Sequence, residues 1–204
     1  TSTTHTPFIS PGKKWEHYKH NNKNIFGFLN TLKYADDKLG LFINNAKKKP
    51  WFDNTIFIFM ADHTIGFGDD SGLFKDTNIK VQNRELENMR IPLLFYAPKI
   101  FKPSINNTVG SQVDIIPTLV DILGLKGSFS TLSNSLLHPT NNQFAIFNSG
   151  QTIGIVNKSG YLKHTLDKKL EQTGNNTLEE KLLSSYQIVQ KLLNENKWIN
   201  NKYD

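Results

Sequence analysis

Asp62 and His63 stand side by side at the end of an apolar run, Thr55–Ala61, inside the stretch DNTIFIFMADH. A carboxylate oxygen and an imidazole nitrogen are both good ligands for a hard or borderline divalent cation. The turn signal Asp53-Asn54 opens the run, which predicts a buried strand with the pair at its carboxyl end. Open α/β sheets place their ligand sites at that end, so the pair predicts a metal-dependent enzyme. The competing reading is an aspartate that caps a turn beside an incidental histidine. The dipeptide alone leaves both readings open, and its place after a fully apolar strand speaks for the ligand.

His5 lies in THTPF, on a loop constrained by Pro7. An imidazole there could hydrogen-bond a phosphate or sulfate oxygen or protonate a leaving group, or it is a surface histidine near a terminus. His17, His20, His138 and His164 show no partner pattern. Asp36 and Asp37 are adjacent in a helical stretch, where neighbours point about 100° apart, so at least one reads as a solvated helix charge. Asp114 reads as a cap. Asp69 and Asp70 line a pocket or are solvated. Ser71 lacks a G-x-S-x-G context and is not read as a nucleophile.

The elements that position these residues follow from periodicity. Asn22–Lys49 carries Ile25, Phe28, Leu29, Leu32, Ala35, Leu39, Phe42, Ile43 and Ala46 at three-four spacing, a helix ended by Pro50. Helix followed by buried strand argues for a mostly parallel sheet. Thr64–Glu87 has no clear period and reads as a long loop over the site. Arg90–Ala97 reads as a second buried strand. Ser111–Leu123 reads as a short helix with a Ser111/Asp114 capping box, Pro117 near its first turn and Gly124 as its stop. Phe144–Asn148, Thr152–Asn157 and Tyr161–Thr165 read as short strands, and Thr177–Asn194 as a terminal helix with Trp198 and Ile199 docking beyond it.

The chain has 204 residues, no cysteine and a formal charge of +6. Disulfides, Cys-ligated zinc, iron–sulfur clusters and a thiol nucleophile are excluded. The charge does not read as a nucleic-acid footprint. Among the 24 basic residues only Arg84 and Arg90 are arginine, the preferred phosphate and base reader, and asparagine is about as abundant as lysine. No apolar run approaches the roughly 18 residues that span a bilayer. TSTTHTP does not resemble a natural start, so the sequence is expected to be a piece of a longer protein whose remainder could hold a signal or anchor.

Taken in order, THTPF, YADDKLG, DNTIFIFMADH, RIPLLFYAP and GSQVDIIPTLVDILG resemble the C-terminal part of the sulfatase/alkaline-phosphatase superfamily, above all the lipoteichoic-acid-synthase-like phosphoglycerol transferases. The resemblance covers Thr1–Leu125. It implies an incomplete α/β domain of alkaline-phosphatase type, a mostly parallel sheet flanked by helices. Residues 1–125 would be the core region; 126–204 would add a small antiparallel strand region and a helix. It implies that Asp62 and His63 are metal ligands, with Mn²⁺ the expected ion and Zn²⁺ or Mg²⁺ the alternatives, and that His5 contacts the substrate's phosphoryl group. The nucleophile and an acidic ligand would lie upstream. Thr1, Thr3, Thr4 and Thr64 do not sit in the nucleophile's motif. The implied activity is transfer of phosphoglycerol from an anionic phospholipid to an envelope glycan or lipid, on the extracytoplasmic face of the membrane. Hydrolysis of a sulfate or phosphate ester, or a non-catalytic binding domain, are the alternatives. The implied partners are the missing N-terminal part and the ester or lipid substrate, with no nucleic acid.

Overall fold

A computed structural model describes residues 2–19, 24–64, 83–126, 132–138, 140, 143–174 and 176–197. The expected roles of Asp69, Asp70, Ser71, Trp198 and Ile199 lie outside these residues. The chain divides into two compact units, Thr1–Pro103 and Ser104–Asp204.

The first unit is built on helix α1, Ile25–Ala46, whose N-cap Asn24 accepts the Gly27 N–H at 3.0 Å. The lead-in is stitched to it. Phe8 sits edge-on to Phe28, and Trp15 edge-on to Tyr34. The fully buried Asn30 clamps the backbone of Tyr18 from both sides, donating to its carbonyl at 2.8 Å and accepting its N–H at 3.1 Å. Trp15 Nε1 donates to Asp37 Oδ2 at 2.6 Å. Asp37 also takes Lys33 at 2.9 Å, and these bonds, Lys33 first and Trp15 next, hold its carboxyl below the usual range. Asp37 is therefore an anchor for the lead-in, and Asp36 is the solvated charge.

After a 3₁₀ turn at Phe52–Asn54, strand β1 (Phe57–Met60) pairs with β2 (Leu93–Tyr96). Between them lies helix α2, Arg84–Met89, capped by Asn83, which accepts the Leu86 N–H at 3.1 Å. The sequence reading took this helix as loop, because six residues show too little of a period. β1 and β2 run antiparallel, with Phe57 opposite Tyr96 and Met60 opposite Leu93. The helix–strand alternation predicts parallel neighbours. The connection from β1 to β2 is long enough to return the chain in either sense, and periodicity does not encode which.

In the second unit, a 3₁₀ turn at Gln112–Asp114 runs into helix α3, Ile115–Ile122, and Gly124 stops it at a left-handed φ of 60°. Asp114 closes the capping box by accepting the Ser111 N–H at 2.7 Å, and its other oxygen takes the Asn134 N–H at 2.9 Å. Thr118 accepts the Leu136 N–H at 2.9 Å, and Ser135 Oγ donates to Asp121 at 2.6 Å. Asp114, Thr118 and Asp121, spaced to share one face of the turn and helix, thus pin residues 134–136.

Strands β3 (Ala145–Ser149), β4 (Thr152–Asn157), β5 (Gly160–His164) and β6 (Lys169–Gln172) form an antiparallel meander in sequence order. Sequence reading missed β6: Lys169-Leu170-Glu171-Gln172 is a mostly exposed edge with no apolar alternation. Helix α4, Leu178–Asn194, closes the core, where Leu178 and Leu182 meet Ile155 and Leu162. His164, 3% exposed, locks the joint. Its Nδ1 accepts the Leu166 N–H at 2.9 Å, so Nε2 carries the hydrogen toward Glu179, 3.3 Å away, while Lys169 reaches the other oxygen of Glu179 at 2.8 Å.

Two stability predictions follow from these clips. Asp114→Ala strips partners from backbone N–H groups in both the turn and the 134–136 segment, and should cost about 2–4 kcal/mol in urea unfolding. Lys169 first, and His164 after it, hold the Glu179 carboxyl below its ordinary range. The stability this supplies is fully present above the ordinary carboxylate value and fades as pH falls through the lowered one. The gap in urea midpoint between the native chain and Glu179→Gln should therefore be open at neutral pH and close in acid.

Candidate metal centre

β1 delivers the Asp62–His63 pair. The strand ends at Met60, Ala61 leaves the ladder, and Asp62 and His63 form a bend. Asp62 Oδ1 accepts the His63 backbone N–H at 2.9 Å. That bond, then the His63 charge and the N–H of Asp62 itself, hold the carboxyl below the usual range. Oδ1 thus caps the bend, and Oδ2 faces the His63 ring.

His63 Nδ1 lies 2.6 Å from the Thr64 carbonyl oxygen. A carbonyl only accepts, so Nδ1 carries the hydrogen and neutral His63 presents a lone pair at Nε2. Nε2 and Asp62 Oδ2 are 3.7 Å apart, with the two side chains 71% and 89% exposed. Asp62 and His63 are the residues that would hold a divalent ion here. The donor set fits a metal. It supplies two ligands where such an ion takes four or more. Among the described residues no group of three or more His, Cys, Asp or Glu is arranged to hold one.

His5 is exposed and donates from Nδ1 to the Thr6 carbonyl at 3.0 Å, which leaves Nε2 for an external partner. It does not join Asp62 and His63 as a ligand. His138 stands 3.4 Å from Asp121 and His164 is committed to Glu179, so neither is a site residue. Asp114 is a cap, as its spacing predicts. Sequence reasoning set Thr64 aside as a nucleophile and did not consider its link to Asn88. Thr64 Oγ1 donates to the Asn88 carbonyl at 2.5 Å, which fastens the bend to α2. Asn83 ahead of RELENM was a readable capping signal for α2, but nothing in the sequence joins position 64 to position 88.

Known proteins share this arrangement of elements. A family model described as Sulfatase matches residues 1–125. The lipoteichoic acid synthase-like YvgJ of Bacillus subtilis is 29% identical over 177 residues, 81% of this chain and 28% of that protein. Lipoteichoic acid synthase of Staphylococcus aureus is 26% identical over 157 residues, 75% of this chain and 24% of that protein. A crystal structure of an alkaline phosphatase superfamily protein from Vibrio parahaemolyticus superposes with a TM-score of 0.77 at 21% identity, over 98% of this chain and 49% of that one. This chain thus spans about a quarter of the length of the curated relatives and about half of the solved chain. The α/β fold is that of the alkaline phosphatase superfamily, with an antiparallel sheet in the second unit. By the match over residues 1–125, the chain belongs to the sulfatase family.

Proposed function

We propose that this chain is the C-terminal portion of a metal-dependent sulfatase-family enzyme that transfers phosphoglycerol from an anionic phospholipid to an envelope glycan or lipid. The observation that carries the reading is the Asp62 Oδ2–His63 Nε2 pair at the end of β1, in a chain whose relatives include lipoteichoic acid synthases. Asp62 and His63 hold one side of the ion, with Mn²⁺ the expected metal. The ion would supply positive charge that activates an alkoxide nucleophile and offsets charge on the phosphoryl oxygens. His5 binds a phosphoryl oxygen through Nε2. The nucleophile and the remaining ligands belong to a part of the protein outside this chain, the catalysis taking place on the extracytoplasmic face of the membrane.

The fold supports a missing partner of that kind. Met60, Leu93 and Leu94 are exposed on the two-stranded sheet, as are Leu39 and Phe42 on α1. Among the described residues that sheet has two strands, a marginal arrangement on its own in water, and the rest of the catalytic domain is the natural cover. Among the described residues no helix is long and apolar enough to cross a membrane.

The test is an assay of the longer protein that carries this chain, on vesicles holding a labelled phospholipid with a phosphoglycerol headgroup. Mn²⁺-dependent release of diacylglycerol is expected. Asp62→Ala and His63→Ala should each remove several kcal/mol of transition-state stabilisation, about 100-fold or more in turnover. This chain alone should bind Mn²⁺ weakly and turn nothing over. Activity confined to aryl sulfates or simple phosphate esters would move the assignment to a hydrolase. Absence of both metal binding and turnover would leave a binding domain.

A further inference from the structure

One end of the two-stranded sheet carries a concentration of positive charge that the metal centre does not use. The register sets Phe57, the first residue of β1, opposite Tyr96, the last of β2. The turn that enters β1 and the turn that leaves β2 therefore lie at the same end. Ring contacts join them, Trp51 to Phe57 at 6.2 Å and Phe52 to Tyr96 at 6.3 Å. The first turn brings Lys47, Lys48 and Lys49 from the end of α1. The second brings Lys99 and Lys102, on a segment folded back where the Ile100 and Phe101 N–H groups both donate to the Ala97 carbonyl, at 2.9 and 2.8 Å. All five lysines are exposed, and over residues 47–57 and 96–102 they stand against a single acidic residue, Asp53. Among the described residues none of the five is in an ion pair. A helix C-terminus favours lysine, which accounts for residues 47–49 but not for Lys99 and Lys102. Trp51, 47% exposed, and Ile100, 52% exposed, stand among these charges.

We propose that this end of the sheet docks on the surface of an anionic phospholipid bilayer, with Trp51 and Ile100 entering the interface and the five lysines meeting headgroup phosphates. Lysines alone would make a solvated face. An indole and an aliphatic side chain exposed among unpaired ammonium groups match a bilayer interface, where tryptophan sits at headgroup depth and lysine stems lie along apolar surface. The docking surface is separate from Asp62 and His63, which lie past the other end of β1, about 15 Å along the strand from Phe57. Each lysine near such a surface contributes about fivefold to binding, and the contribution fades as salt rises. A patch of this kind binds reversibly rather than anchoring the protein.

The experiment measures sedimentation of this chain with vesicles of phosphatidylcholine alone and of phosphatidylcholine mixed with phosphatidylserine, without added metal. Phosphatidylserine supplies the charge without a phosphoglycerol headgroup, so the result is independent of the proposed transfer reaction, and failure of either leaves the other standing. Binding is expected to the mixed vesicles only, and to weaken with salt. Lys47→Gln, Lys48→Gln and Lys49→Gln combined should raise the lipid needed for half-binding at least tenfold. Lys158→Gln, Lys168→Gln and Lys191→Gln combined remove the same charge from exposed positions in the second unit and should leave binding within about twofold. Tryptophan emission should shift to the blue on binding, and Trp51→Phe, which keeps a ring beside Phe57, should abolish most of that shift. Far-UV circular dichroism and urea midpoints confirm that the variants compared are folded. No binding to the mixed vesicles would overturn the proposal, as would equal losses in the two triple variants. A blue shift that survives Trp51→Phe, or tighter binding to soluble inorganic polyphosphate than to the vesicles, would overturn the bilayer as the partner.

Discussion

The ring of Phe57 is the fixed point of the first unit. It meets Phe42 of α1, Trp51 and Phe52 of the preceding turn, Phe59 of its own strand and Tyr96 of β2, at centroid distances between 5.5 and 6.3 Å. Each such pair contributes about 0.5–1.5 kcal/mol beyond the area it buries. Phe57 is also the first residue of β1. Its placement sets where the strand starts and in which register it pairs with β2, and so where the chain leaves the ladder to make the Asp62–His63 bend. The apolar cluster thus sets where Asp62 and His63 stand, and bonds at residues 62–64 help to orient them.

The second unit divides the same labour differently. Its core of Ile155, Leu162, Leu178 and Leu182 is apolar, but its joints are polar, with Asp114, Thr118 and His164 buried in them. Asp114 and Thr118 hold the backbone of 134–136, and His164 with Glu179 and Lys169 holds the β5–β6 turn against α4. Buried polar groups are tolerable only when satisfied, and Asp114, Thr118 and His164 accept backbone N–H groups. The block QVDIIPTLVDILG, one of the most specific family resemblances in the sequence, thus does structural work. Specificity of a motif marks what the fold requires, and chemistry is only one of those requirements.

What was legible in the sequence follows from this. α1, α3, α4 and the hairpins bury a face, and a buried face leaves a period. The end of β1 ahead of Asp62–His63 was legible because an abrupt end to an apolar run is itself a pattern, and the Asp114 cap because a capping box is local. Elements held by contacts remote in sequence left no trace. α2 and β6 are short and mostly polar. The antiparallel sense of β1 and β2 depends on the path of a long connection. The bonds of His164 to Glu179 and of Thr64 to Asn88 join positions with no common period. His5 was readable as a histidine on a constrained loop, and its use waits on a substrate.

Two features of the first unit bear on the proposed function together. Among the described residues the sheet has two strands with apolar side chains exposed, and Asp62 and His63 offer two donor groups where a divalent ion takes four or more. If the proposed function holds, one addition completes both. β1 is paired with β2 on one edge, and among the described residues no strand lies on the other. A strand added there parallel to β1 would bring its carboxyl end beside Asp62, because parallel neighbours end on the same side of a sheet. Residues just past that end would then lie near the open side of the ion. Covering the apolar face and closing the coordination shell thus become consequences of a single pairing, which ties metal affinity to the assembly of the sheet.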